Sequence, residues 1–275
     1  MKHFKFILII LAIMFSFPAV SRTIYNDNEE LMNDQLENFE SELQPNTQPD
    51  EKHLYLLALR YASKNEEYKN KSRIMLERLS EDGLSDAKRS LYNFRKKLKI
   101  TEEKAEEYLL ESAQDGNAIA QKEIAYLYLD KKDSLDNKAK YNFWMEKAAN
   151  SGNTEAMRET AVNYFIGNGV KRDDPRGVLW LMRLYNKSGR HFDDWDLLAK
   201  VYETGRGTPV DLVKAYMCYD LEGTAGIEEK ARIAPKMTAE QRAEGLRMSH
   251  EWQEKNHVYT MQSLGLSRQS DGSYR

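Results

Sequence analysis

The stretch KAANSGNTEAMRETAVNYFIGNGVKRDDPRGVLW, from Lys147 to Trp180, decides the fold, because both of its halves recur along the chain. Its first half, AANSGNTEAMRETAVNYF (Ala148 to Phe165), repeats SAQDGNAIAQKEIAYLY (Ser112 to Tyr128). Its second half, GNGVKRDDPRGVLW (Gly167 to Trp180), returns as GRGTPVDLVKAYMC (Gly205 to Cys218). A period of about 36 residues means stacked supersecondary units, each too small to bury its own apolar face. Such arrays present extended binding surfaces.

The residues specify the unit. One helix ends in a pair of small residues before a glycine: Ser112-Ala113 before Gly116, and Ala148-Ala149 before Gly152. Glycine suits a reversal that needs a left-handed residue. Alanine then stands four residues on, in the pairs Gly83–Ala87, Gly116–Ala120 and Gly152–Ala156, where a small side chain lets two helices approach closely. The second helix carries an apolar stripe, Ala161, Tyr164 and Phe165 in one unit and Leu198, Val201 and Tyr202 in the next. Gly167-x-Gly169 and Gly205-x-Gly207 follow as turns, leading to Asp173 and Asp211 as helix caps. These pairs recur 38 residues apart, follow helices and lack a third glycine or a Lys-Ser/Thr partner, so they read as turns and not as phosphate loops.

These motifs resemble the Sel-1-like repeats, a branch of the tetratricopeptide-type αα solenoids. The fullest match runs from Tyr141 to Asp173, through Trp144, Lys147-Ala148-Ala149, Gly152-Asn153, Ala156, Tyr164, Gly167-x-Gly169-Val170 and Asp173. The unit from Ala105 has Asp130-Lys131-Lys132-Asp133 in place of the glycine turn, and the unit from Gly177 has Gly189-Arg190-His191-Phe192 where Gly-Asn and the alanine belong. The resemblance spans roughly residues 66–256. It implies an all-α fold, a right-handed αα-solenoid of about five antiparallel helix-pair repeats. Thr238 and Gln241 read as a capping box on a closing helix that runs to Trp252.

The ends differ in kind. Lys2 and Lys5 precede an apolar run from Phe6 to Phe15, with small residues at Ala19-Val20-Ser21. Residues 1–21 are expected to be a cleaved secretory signal, since a membrane span takes roughly 20 apolar residues. That expectation places the mature chain in the periplasm or outside the cell, with no stable membrane insertion. Without residues 1–21 the chain holds 39 basic and 44 acidic residues. Residues 22–51 carry nine acids against Arg22 alone, and read as a short amphipathic helix with Leu31, Met32, Leu36, Phe39 and Leu43 on one side, followed by a linker. The helix either caps the first repeat or is mobile. Residues 52–256 form the repeat array, with charges of both signs mixed along every helix, which is no nucleic-acid signature. Residues 257–275 are expected to be a flexible tail. Cys218 is the lone cysteine, on an apolar helix, and reads as buried.

No constellation points to catalysis, a metal or a cofactor. His250 and His257 stand seven apart, about 10 Å along a helix and too far for one ion. The hexapeptide His191-Phe192-Asp193-Asp194-Trp195-Asp196 breaks the repeat; its carboxylates suit a helix start, and Phe192 and Trp195 are expected to be exposed. Together with Tyr108, Tyr141 and Tyr185 they are the candidate anchors for a protein partner.

The resemblance implies a non-catalytic protein-binding scaffold. Exported Sel-1-like proteins serve as envelope assembly factors, as inhibitors of sensor kinases, and as immunity proteins that block secreted antibacterial effectors such as phospholipases. The immunity role comes first, with a secreted effector or an envelope protein as partner. An assembly or sensor-regulating adaptor, and a hydrolase acting on peptidoglycan or β-lactams, are the alternatives.

Overall fold

A computed structural model describes residues 23–24, 50–130 and 134–266. The expected signal (1–21), the acidic helix (29–43) and the last nine residues of the tail lie outside the described residues. Those described form twelve α-helices and no strand, so the chain is all-α. The helices are α1 (Glu51–Tyr61), α2 (Glu66–Glu81), α3 (Ser85–Asn93), α4 (Glu102–Gln114), α5 (Ala118–Asp130), α6 (Leu135–Asn150), α7 (Thr154–Ile166), α8 (Asp174–Ser188), α9 (Trp195–Thr204), α10 (Leu212–Leu221), α11 (Ile227–Ile233) and α12 (Ala239–Asn256). Contacts divide the chain into two units, Met1–Asp133 with Phe143–Asn153, and Ser134–Asn142 with Thr154–Arg275.

In the first unit α1, α2, α3 and α4 pack in succession around Tyr55, Leu56, Leu76, Leu84 and Leu91. Tyr55 is fully enclosed because its hydroxyl meets Ser90 Oγ at 2.8 Å, so burial of the ring leaves no orphan polar atom. A second cluster, Leu109, Ala113, Ala120 and Ile124, joins α4 to α5, with Trp144 of α6 against it.

The reversal inside each repeat has one geometry. Gly83, Gly116 and Gly152 have φ of 92°, 94° and 99°. Around each, the glycine N–H donates to the carbonyl three residues back and the next N–H to the carbonyl five back. These pairs are Gly116 to Ala113 and Asn117 to Ser112 (both 3.1 Å), and Gly152 to Ala149 (3.1 Å) and Asn153 to Ala148 (3.0 Å). The orphan carbonyls at the helix end are thereby satisfied. The alanines that follow, Ala87, Ala120 and Ala156, are all fully buried.

In the second unit the connection between repeats is equally regular. Gly167, Gly169, Gly205 and Gly207 all have φ between 70° and 74°. Asp173 N–H donates to Tyr164 O and Asp211 N–H to Tyr202 O, each at 2.9 Å. The two aspartates cap α8 and α10, accepting from Arg176 N and Lys214 N at 3.0 Å. The second glycine of each pair also lies against the start of an earlier helix. A Cβ on Gly169 would stand 2.6 Å from Lys138 Cβ, and one on Gly207 would stand 2.4 Å from Asp174 C.

At the C-terminal side α12 packs on α10 and begins with the capping box, Gln241 N–H on Thr238 Oγ1 (3.1 Å) and Thr238 N–H on Gln241 Oε1 (2.9 Å). Residues 257–266 continue past α12 with hydrogen bonds of their own. Val258 N–H donates to Gln253 O and Thr260 N–H to Gln253 Oε1 (2.7 Å), and Leu266 N–H donates to Met261 O (2.9 Å). Gln253 is buried, so its side-chain amide needs such partners and pins the turn to α12.

The glycines separate two costs. In Gly116→Ala the new Cβ meets nothing within 4 Å, leaving only the strain of its positive φ, about 1 kcal/mol. Gly207→Ala adds collision with the Asp174–Pro175 backbone and should cost about 3 kcal/mol or more. Urea unfolding of both variants measures the difference; equal losses would contradict the stacking role assigned to the second glycine.

Candidate partner-binding surface

The hexapeptide at 191–196 is where the repeat lapses. Gly189 retains a positive φ of 54°, but residues Gly189–His191 wind into a 3-10 turn and α9 starts only at Trp195. The expected exposure of Phe192 and Trp195 is corrected: they are 4% and 6% exposed. Each ring meets another edge to face. Tyr185 and Phe192 are 5.2 Å apart, Phe192 and Trp195 4.8 Å, and Trp195 and Trp252 4.8 Å. Such pairs add to the burial of large apolar area. The lapse thus makes room for an aromatic core that ties α8 and α9 to α12, and these side chains are not surface anchors.

The acids of the same stretch are fixed by a cation. Arg158 Nη2 reaches Asp193 Oδ1 at 2.6 Å, and Arg158 Nε reaches Asp194 Oδ2 at 3.0 Å. Burial pushes the Asp194 carboxyl above its ordinary pKa, and Arg158 pulls it back part of the way. Asp194 makes no side-chain cap bond, so the dipole account of these acids gives way to a salt bridge from α7. Asp196 pairs with Lys200 at 2.8 Å.

The other candidate tyrosines are also structural in part. Tyr141 is 3% exposed, its hydroxyl 3.2 Å from Glu159 Oε2. Tyr108 is half-buried against the first core, with Lys104 Nζ 4.8 Å over its ring. Tyr185 is half-buried beside Phe192 and Trp195. His191, His250 and His257 are exposed, and among the described residues no group of His, Cys, Asp or Glu is placed to hold a metal. Cys218 is fully buried, and burial pushes its thiol pKa up.

Two features went unread in the sequence. One is Asp220, 5% exposed. The 38-residue step that sets Gly205 on Gly167 sets Asp220 on Met182. It accepts from Ser249 Oγ of α12 at 2.7 Å and pairs with Lys230 of α11, while Gln253 Nε2 donates to Ser249 Oγ at 3.0 Å. A buried carboxylate is tolerated only with such partners. Its sequence signal was the single charge inside the apolar run from Ala215 to Leu221. The other is the outer face of α8 and the turn before it. Here the charges are not mixed as expected: Lys171, Arg172, Arg176, Arg183 and Lys187 are exposed, with Leu179 (51% exposed) among them. Next to this face Tyr164, Val170, Pro175 and Arg176 line an open recess of about 830 Å³.

On the far side of α10, Glu203 accepts two 2.7 Å bonds from Arg232 and one of 2.8 Å from the Tyr219 hydroxyl. Arg232 thereby holds the Glu203 carboxyl below its ordinary value of 4.5. A carboxylate whose folded pKa is depressed adds stability above its unfolded value, and loses it as pH falls through the folded one.

Two measurements follow. Trp195→Ala should lower stability by about 3–5 kcal/mol through a cavity in the aromatic core, seen as a large fall in thermal midpoint. A variant that melts with the parent would return Trp195 to the surface. Glu203→Gln should cost about 1 kcal/mol at pH 7. Denaturant titrations at descending pH should show that deficit shrinking below pH 4.5. A deficit independent of pH would contradict the ion pair.

The Sel1 repeat family model matches residues 142–153, 154–185 and 197–221. No curated protein matches the sequence. Among solved structures, a protective antigen present in uropathogenic Escherichia coli strains, displaying an SLR fold, aligns with a TM-score of 0.54 at 20% identity over 83% of this chain. The chain spans about half of that protein, 54% of its length. A Sel1 repeat protein from Oxalobacter formigenes aligns with a TM-score of 0.51 at 18% identity, over 81% of this chain and 98% of that one. The matched segments include the Gly-x-Gly turn at 167–169, the Asp173 cap and the aromatic-stripe helices described above, and both solved structures share the all-α repeat fold. Residues 142–221 of this chain thus carry Sel1 repeats, within an all-α repeat fold.

Proposed function

We propose that this protein is an exported, non-catalytic binding scaffold that acts as an immunity protein, seating on a secreted antibacterial effector and covering its active surface. Its Sel1 repeats are the observation that carries the reading, because stacked helix pairs of this kind offer a broad, rigid face to a protein partner. Rigidity matters energetically: a preordered surface loses little conformational entropy on binding. The polar clusters in the described residues have structural duties. Asp193 and Asp194 hold Arg158, Asp220 holds α12, and Glu203 holds Arg232. Export is supported by the apolar run from Phe6 to Phe15 with its basic start at Lys2 and Lys5.

Purified chain, immobilised and exposed to the periplasmic and secreted fractions of its host, should retain a secreted hydrolytic effector. One equivalent of the chain should then abolish that effector's hydrolysis in solution. Hydrolysis of peptidoglycan, phospholipid or β-lactam by the chain alone, or an effector that stays fully active when bound, would overturn the reading.

A further inference from the structure

The outer face of α8 and the turn before it concentrate positive charge around an exposed leucine. Residues 171–190 hold six cations, Lys171, Arg172, Arg176, Arg183, Lys187 and Arg190, against Asp173 and Asp174 alone, in a chain whose net charge is −3. Both acids have structural work: Asp173 caps α8, and Asp174 binds Arg172 at 2.6 Å and Arg206 at 3.0 Å. The cations remain accessible, with Arg172 and Arg176 side chains 61% and 62% exposed.

Repeat register shows that these outer positions vary while the packed ones do not. Leu179 and Arg183 stand where α6 has Phe143 and Lys147 and where α4 has Glu107 and Glu111, while the buried positions stay apolar: Leu109, Met145 and Leu181. Core positions are fixed by stacking; outer ones are not. Two of the guanidinium groups are also preset. Arg183 lies 4.6 Å over the Trp180 ring, and Arg176 lies 5.5 Å over Tyr164 and donates to its hydroxyl at 3.1 Å. A guanidinium held over a ring forfeits less entropy when it meets a carboxylate.

We propose that this face docks an acidic, leucine-bearing helix of the partner protein. Leu179 takes the apolar side of that helix, its cationic neighbours pair with the carboxylates, and the recess beside Tyr164 and Val170 receives a further side chain. An apolar centre inside a charged rim is the usual anatomy of a protein interface. A nucleic acid strand is disfavoured, because stacking needs open ring faces and Trp180 is only 3% exposed. The inference rests on the scaffold reading given under Proposed function.

The test uses the full chain and a fluorescein-labelled, 16-residue helical peptide bearing leucine on one face and glutamate on the others. Anisotropy should report binding that weakens as salt rises. Arg183→Glu/Lys187→Glu should reduce affinity at least about tenfold and Leu179→Ala roughly fivefold. Lys69→Glu/Lys71→Glu on α2 should leave it unchanged. Helical circular dichroism of the Leu179 and the Arg183/Lys187 variants should match the parent, since these side chains are exposed, and Leu179→Ala introduces no charge that could disturb the fold. Equal binding by parent and Arg183→Glu/Lys187→Glu, or tighter binding of a 16-nucleotide single strand than of the peptide, would overturn the proposal. A charge-reversed chain that still captures and inhibits its effector would reject this surface alone. A parent chain that captures none would reject the scaffold function itself.

Discussion

The structure depends on glycines in positive-φ turns that let helices meet at close range. Gly116 and Gly152 reverse the chain within a repeat, and Gly169 and Gly207 bring the next turn against Lys138 and Asp174 at distances that leave no room for a Cβ. Every other regular feature follows from that approach. The fully buried Ala87, Ala120 and Ala156 are small because the facing helix is near. The Asp173 and Asp211 caps recur because each turn delivers the chain to its next helix at the same angle.

The lapses in the pattern tie α12 to the helices packed against it, in two places. The aromatic set Tyr185, Phe192, Trp195 and Trp252 reaches from the irregular repeat to α12, and Asp220, inside the apolar run of α10, accepts from Ser249 of α12. One joint is made of ring contacts and the other of hydrogen bonds. Both draw α12 into the fold although that helix is mostly polar in sequence.

The turn glycines, alanines and capping residues could be read directly, since backbone conformation is a local property and few residues satisfy it. Exposure is not local. Phe192 and Trp195 look like surface aromatics because the ring that covers Trp195 belongs to Trp252, 57 residues further on. The α8 face illustrates a different loss. Its cations were visible, but charge averaged over a long segment conceals a one-sided helix; repeat register, which sets Leu181 on Met145 and Leu109 but Leu179 on Phe143 and Glu107, separates packed positions from outer ones. The result is a division of labour along the chain. Irregularity at 190–195 serves stability, and the outer surface of a regular helix carries the variation that a partner can recognise.

Hydroxyl-radical footprinting of the folded chain, read by mass spectrometry residue by residue, tests that division most directly. Tryptophan is intrinsically far more reactive than leucine, so burial has to overcome chemistry for the order to reverse. The account predicts oxidation at exposed Leu179 and protection at buried Trp195 and Phe192 in the native protein. Trp195 oxidised as readily as in the urea-unfolded chain, with Leu179 protected, would contradict it.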